Sequence, residues 1–151
     1  MIRLATAADA DVIAGYNAAM ASETEHFELD RERLSLGVRS ILDDPSKGVY
    51  WVAEEDGRVI GQMMITYEWS DWRNGTFWWI QSVYVHKDWR CRGVFRRIYE
   101  HVVALARAEA GVCGIRLYVE GENRHAQATY ERLGMKRTPY QMFEVDFVLG
   151  R

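Results

Sequence analysis

The sequence predicts a mixed α/β (α+β) fold, a mostly antiparallel sheet of six to seven strands flanked by about four helices. Three observations predict it. Apolar, β-branched and aromatic runs bounded by turn residues lie at 49–53, 58–68 and 77–85, as strands do. Val94, Phe95, Ile98, Tyr99, Val102, Val103 and Ala106 recur at three- and four-residue spacing, which is a helical stripe. The element order β-α-α-β-β-β-α-β-α-β, with one further strand open, mixes strands joined by turns with strands joined through helices.

Ile2-Arg3-Leu4 is the first short strand. Thr6 then caps a helix over about 7–20, with Asp9 in capping-box position. Ser22-Glu23-Thr24-Glu25-His26 reads as a polar connector, and Asp30 caps a second helix that runs towards Ile41 and stops before Pro45. Glu55-Asp56-Gly57 turns the strand at 49–53 into the next, which ends near Glu68. Asn74-Gly75 is a two-residue hairpin signal, and that turn would set Glu68 opposite Gln81. Gly111 closes the long helix, and Cys113, Ile115, Leu117 and Val119 alternate as one face of a strand. The strand–helix–strand unit from 77 to 119 should pair in parallel through a right-handed crossover. Asn123 to Leu133 is a last helix closed by Gly134, and 135–148 supply one or two final strands around Pro139.

A length of 151 residues suits one domain, 1–151, with a sizeable core. A net charge of −3 argues against nucleic acid as the partner. No run approaches the ~20 apolar residues of a bilayer span, so no membrane partner is expected. Ala19-Met20-Ala21 resembles a signal cleavage site, but Asp9, Asp11 and Asn17 interrupt the apolar run that should precede it. Cys91 and Cys113 make no disulfide framework, and the expected location is cytoplasmic. His26, His86, His101 and His125 show no metal-ligand spacing with one another or with the cysteines, so no metal is expected. Exposed tryptophans and a C-terminal strand leave a homodimer open.

The chemistry concentrates where the strand at 77–85 leads into the long helix. Arg90-Cys91-Arg92-Gly93 precedes the helical stripe, with Arg96 and Arg97 just inside it. A helix N-terminus offers unpaired N–H groups and partial positive charge, and glycine lets an anion approach that backbone. The turn therefore suits a phosphate-bearing ligand, although an ordinary connection with solvated arginines reads the same way. No Gly-x-Gly-x-x-Gly or Gly-Lys-Ser/Thr is present, which disfavours a dinucleotide fold and a nucleoside-triphosphate loop.

Two blocks together resemble the GNAT superfamily of acetyl-CoA-dependent N-acetyltransferases. Its Arg/Gln-x-x-Gly-x-Gly/Ala signature is similar to Arg90-Cys91-Arg92-Gly93-Val94-Phe95, and its Asn-x-x-Ala-x-x-x-Tyr-x-x-x-Gly-Phe block to the stretch from Asn123 through Ala126 and Tyr130 to Gly134-Met135. Phe95 departs from the small residue of the first block, and its ring either shields the ligand or packs into the core. The resemblance implies that backbone N–H groups of Cys91, Arg92, Gly93, Val94, Phe95 and Arg96 hold the pyrophosphate of coenzyme A. Arg90, Tyr84, Asn123 and Tyr130 complete the implied coenzyme contacts. The backbone of Val83 and Val85 would pair with the pantetheine arm as an added strand does. It also implies a splay between the strands at 80–85 and 113–119, with the thioester in the gap.

Amide formation from a thioester needs a neutral amine, a polarised carbonyl and a proton for the departing thiolate. Tyr130 occupies the family's tyrosine position and is the expected proton donor, against a core aromatic with a merely paired hydroxyl. Glu68 is the candidate base if burial among aromatics raises its pKa, against a solvated strand-end glutamate or a water relay. Glu23 and Glu25 would attract a cationic amine, or form a plain acidic loop. Tyr67, Trp69, Trp78 and Gln81 would line the acceptor pocket, or an interface. Cys91 beside arginines could be acidified, but it would lie far from the thioester. The expected activity is direct transfer of acetyl from acetyl-CoA to a small-molecule primary amine. An acyl-CoA-binding sensor and an acetyltransferase of protein N-termini or lysine are the alternatives.

Overall fold

Five strands lie side by side in chain order in the computed structural model, which describes residues 1–151. They are β1 Ile2–Leu4, β2 Val49–Glu55, β3 Arg58–Ser70, β4 Gly75–Val85 and β5 Val112–Arg116. The first four pair antiparallel, and β5 joins β4 in parallel. The helices are α1 Ala10–Glu25, α2 Arg31–Asp43, α3 Val94–Ala108 and α4 Arg124–Arg132. The chain divides into two units, Met1–Leu117 with the whole sheet and Tyr118–Arg151 with α4. None of the helices is long and apolar enough to cross a membrane.

In the first unit the sheet buries both faces because its strands carry apolar residues at odd and even positions. One face packs on α1 and α2: Ala10, Ile13, Ala14, Val38 and Ile41 close over Tyr50, Val52 and Val59. The other packs on α3, whose residues Val94, Ile98, Tyr99, Val102 and Ala106 are buried at helical spacing. Ile98 and Val102 are wholly excluded from solvent, worth about 1.5–3 kcal/mol each in transfer terms. Gly61 shows how closely α3 lies on β3, because a Cβ there would sit 2.9 Å from Val94 Cγ1.

Asp30 caps α2 as expected, its Oδ1 accepting from the N–H groups of Glu32 and Arg33. At four places the structure departs from the sequence reading, the first being the strand expected to run through Leu117 and Val119, which ends at Arg116. The 22–26 stretch is not a connector: α1 continues to Glu25 and ends at His26 in the left-handed region, φ 52°. The hairpin after β3 is not a two-residue Asn-Gly turn. Ser70 pairs with Gly75, so 71–74 form the loop, and Asn74 (φ 47°) supplies its left-handed residue. The expected final strands are absent, leaving five rather than six or seven. Phe143, Val145 and Phe147 alternate as a strand face would, yet are 92%, 78% and 93% exposed. Asp146 Oδ1 accepts from the N–H groups of Val148 and Leu149, a local bonding pattern that competes with a ladder.

In the second unit Asn123 caps α4, its Oδ1 accepting from Ala126 N at 3.1 Å. Gly134 follows α4 with φ 93°, the conformation glycine adopts without strain.

Candidate functional site

β4 is interrupted where its chemistry would begin. Gln62 pairs with Tyr84 and Met64 with Gln81, so Ser82 and Val83 together face Met63, and Ser82 takes φ 50°. This is a β-bulge, which bends its strand and re-aims side chains. On the other side of β4 the pairing with β5 ends at Trp79–Arg116. Residues 80–85 therefore have no neighbouring strand there: β5 ends at Arg116, short of the strand at 113–119 whose splay from 80–85 the resemblance implies.

Beyond β4 a single 3₁₀ turn, Lys87–Trp89, leads to the basic turn. Cys91 (φ 62°) and Gly93 (φ 74°) both adopt the left-handed conformation, and α3 starts at Val94 with no side chain capping it. Its first amides are thus left to an outside acceptor. The arginines are not equivalent. Arg90 donates to Val85 O at 3.0 Å and to Glu23 Oε2 at 2.9 Å, Arg92 stacks on Trp89, and Arg96 pairs with Glu100. Val94 is buried, while Phe95 lies 5.9 Å from Tyr99 along the same helix. The Phe95 ring is half-buried.

Glu23 and Glu25 do not converge, because residues two apart leave a helix in opposing directions. Glu23 accepts from the Tyr84 hydroxyl at 3.2 Å and from Arg90; Glu25 is exposed. The Tyr84 ring rests 5.0 Å from that of Tyr16, and burial, then the Glu23 charge, raises its pKa. Glu68 stands opposite Phe77, not Gln81, because the longer loop moves the register by four residues. Four strand residues are roughly 13 Å. Its carboxylate is exposed and bonded to Arg116 (2.7 Å) and to the Trp79 indole (3.2 Å), so the burial a base would need is missing. Tyr67, Trp69 and Trp78 share one face of the hairpin, with Tyr67 edge-on to Trp78. Gln81, an odd number of residues from Trp78, is on the other face and donates to Thr66 Oγ1 at 2.6 Å. These four do not form one pocket. In the second unit Tyr130 is partly buried, and desolvation raises its pKa.

A buried polar chain was not singled out by the sequence reading. Gln62 Nε2 donates to Asn17 Oδ1 (2.8 Å) and to the Ser82 carbonyl (3.0 Å), while Asn17 Nδ2 donates to the Tyr50 hydroxyl (2.9 Å). It ties the bulge to α1 and β2. Asn17, Tyr50 and Gln62 are at most 5% exposed, and Gln62 Oε1 is buried without a partner. The signal was present: Asn17 is a lone polar residue on the Ala10-Ile13-Ala14-Ala21 stripe, and Gln62 interrupts an apolar strand. No group of side chains could hold a metal ion.

The profile of the acetyltransferase (GNAT) family matches residues 12–135. A solved structure described as a possible acetyltransferase from Clostridium difficile 630 is 45% identical with TM-score 0.92, over 98% of this chain and 97% of that one. Two more distant structures share the fold. A predicted acetyltransferase with acetyl-CoA from Clostridium acetobutylicum is 18% identical (TM-score 0.77), over 98% of this chain and 96% of that one. An aminoglycoside acetyltransferase from an uncultured soil metagenomic sample is 17% identical (TM-score 0.74), over 97% of each. No curated protein sequence matches the chain.

Proposed function

From the premise that this chain belongs to the GNAT family of acetyltransferases, we propose that it moves acetyl from acetyl-CoA to the primary amine of a small molecule by direct transfer. The observation that carries the reading is continuous backbone geometry. The stretch of β4 at 80–85, paired with β3 but open on its other edge, leads to a helix start that no side chain caps, and at Gly93 a Cβ would meet nothing within 4 Å.

Those features fit the pantetheine arm and the pyrophosphate of coenzyme A. Val83 and Val85 would pair with the amide-bearing arm as with an added strand, and the amides of residues 91–96 would receive the phosphate oxygens. Arg92 and Arg96 add charge beside that turn, while Arg90, held by Glu23, fixes the end of β4. Acetyl-CoA supplies an activated acyl group as a thioester. In the transfer a C–N bond forms as the C–S bond breaks, the amine gives up a proton, and the thiolate takes one.

Tyr130, at the tyrosine position of the family's second block, is the proposed proton donor, since a tyrosine hydroxyl is protonated at neutral pH. Glu68, exposed and ion-paired with Arg116, is poorly set up as a base, so proton removal from the amine is assigned to a water relay. A cytoplasmic location, where Cys91 and Cys113 would stay reduced, belongs to the same proposal.

Isothermal titration with acetyl-CoA, followed by thiol release in the presence of primary amines, tests the reading. The expected results are saturable binding and amine-dependent release. Neither heat nor thermal stabilisation on adding acetyl-CoA would overturn it.

A further inference from the structure

Between α2 and the sheet, within the first unit, lies an open cleft of about 310 Å³. That is near the small end of ligand pockets, about 300–1,000 Å³. One side is apolar: Leu34, Val38 and Ile41 from α2, and Met64 from β3. The other side is polar but uncharged, with Asn17, Tyr50, Thr66 and Ser82. No Asp, Glu, Lys, Arg or His lines it.

Two further facts mark the cleft as more than a packing gap. Gly37 also lines it, on the same helical stripe as Leu34, Val38 and Ile41. Glycine weakens a helix interior relative to alanine, yet a Cβ at Gly37 would meet nothing within 4 Å, so packing does not demand it. The polar side is also pre-arranged. Asn17 and Gln62 hold one another, and Gln62 holds the carbonyl of Ser82, so the bulge and the cleft floor are one rigid unit. The Tyr50 hydroxyl accepts from Asn17 and is also bonded to the Ser82 side chain, so it belongs to the same fixed floor.

We infer that this cleft holds the non-reacting part of the acceptor, and that this part is a short, uncharged, mainly aliphatic group. The inference rests on the transferase reading and narrows its substrate class. Ser82 borders Val83, so a ligand in the cleft lies beside the strand proposed to carry the coenzyme arm. An apolar chain loses water against Leu34, Val38 and Met64, and one carbonyl or hydroxyl oxygen can accept from Thr66, whose own hydroxyl oxygen accepts from Gln81. A second ammonium or a carboxylate would enter with no counter-charge.

The test compares butylamine and pentylamine with the diamine and the amino acid of matching length. The monoamines should show kcat/KM about tenfold or more above both charged analogues, the order of discrimination such pockets achieve. Gly37→Leu, at an exposed helix position, should lower kcat/KM for pentylamine far more than for methylamine. Without coenzyme, pentylamine should shift the backbone amide resonances of Thr66 and Ser82 in the parent protein and not in Gly37→Leu. Equal or better use of the diamine or amino acid would overturn the inference on the parent protein alone. Amines acetylated with no shift at Thr66 or Ser82 would overturn the cleft's role and leave the transferase reading intact. Shifts at both residues without acetylation of any amine would overturn the transferase reading and leave the cleft's ligand class standing.

Discussion

Replacing Tyr50 by Phe deletes one oxygen from the floor of the sheet. The ring stays, but Asn17 Nδ2 loses its acceptor at 2.9 Å, and Asn17 is only 5% exposed. A buried N–H without a partner costs about 1–3 kcal/mol. Taking about 2 kcal/mol, a chain of this size should melt about 4–8 °C lower. Urea unfolding at pH 7 should show a lower midpoint with an unchanged slope. Tyr140→Phe, at a 70% exposed position, is the control and should stay within about 0.5 kcal/mol of the parent. Combined with Asn17→Leu, the loss should fall short of the sum of the single losses, because the two groups share one bond. A Tyr50→Phe protein as stable as the parent would refute the reasoning. The pH dependence has a definite sign. Burial is the main cause that raises the Tyr50 pKa, so above about pH 10 the unfolded chain loses that proton first. Stability is then lost as pH rises, and the gap between parent and variant should narrow there.

Three further outcomes are expected. Arg3 donates to both oxygens of Asp9 (2.8 and 3.0 Å) and to Glu54; Arg3→Met should cost about 1.5–3 kcal/mol by urea unfolding at pH 7. The Arg3 guanidinium lowers the Asp9 pKa, so this stability is present above the unfolded value of about 4 and lost as pH falls through the lower folded one. The parent–variant gap should therefore shrink at low pH, and a constant gap would contradict it. Tyr130→Phe should reduce kcat about 10²–10⁴-fold with acetyl-CoA affinity intact, whereas parent-level turnover would remove Tyr130 from the chemistry. Gly93→Val places a branched side chain at φ 74°, a strain of about 1–2 kcal/mol; titration should show acetyl-CoA affinity falling far more than stability does.

What the sequence revealed depended on whether a signal was local. The stripe from Val94 to Ala106 and the Asp30 cap are read from residues only a few positions apart, and they stand. The hairpin register was missed because Asn74 supplies left-handed backbone as readily to the end of a four-residue loop as to a two-residue turn. That one choice moved Glu68 from Gln81 to Phe77 and removed the grounds for its role as base. Glu23 was assigned to a loop because polar residues mark loops and solvated helix ends alike. The Asn17–Tyr50–Gln62 chain joins residues as many as 45 positions apart, a pairing that no local window contains.

A parallel seam that ends at Trp79–Arg116 also shapes how the sheet assembles. β3 and β4 are joined by a four-residue loop and can pair on the microsecond scale of hairpins. β5 must wait for α3 to form and close the crossover, because non-local parallel pairing carries the larger loop-closure entropy. Such a seam should open before the centre of the sheet does, with amides of Val112–Arg116 exchanging with solvent ahead of those at the centre of β3. The stretch of β4 at 80–85 is thus continued on that side by an edge strand that can loosen without disturbing the hairpin that carries the bulge.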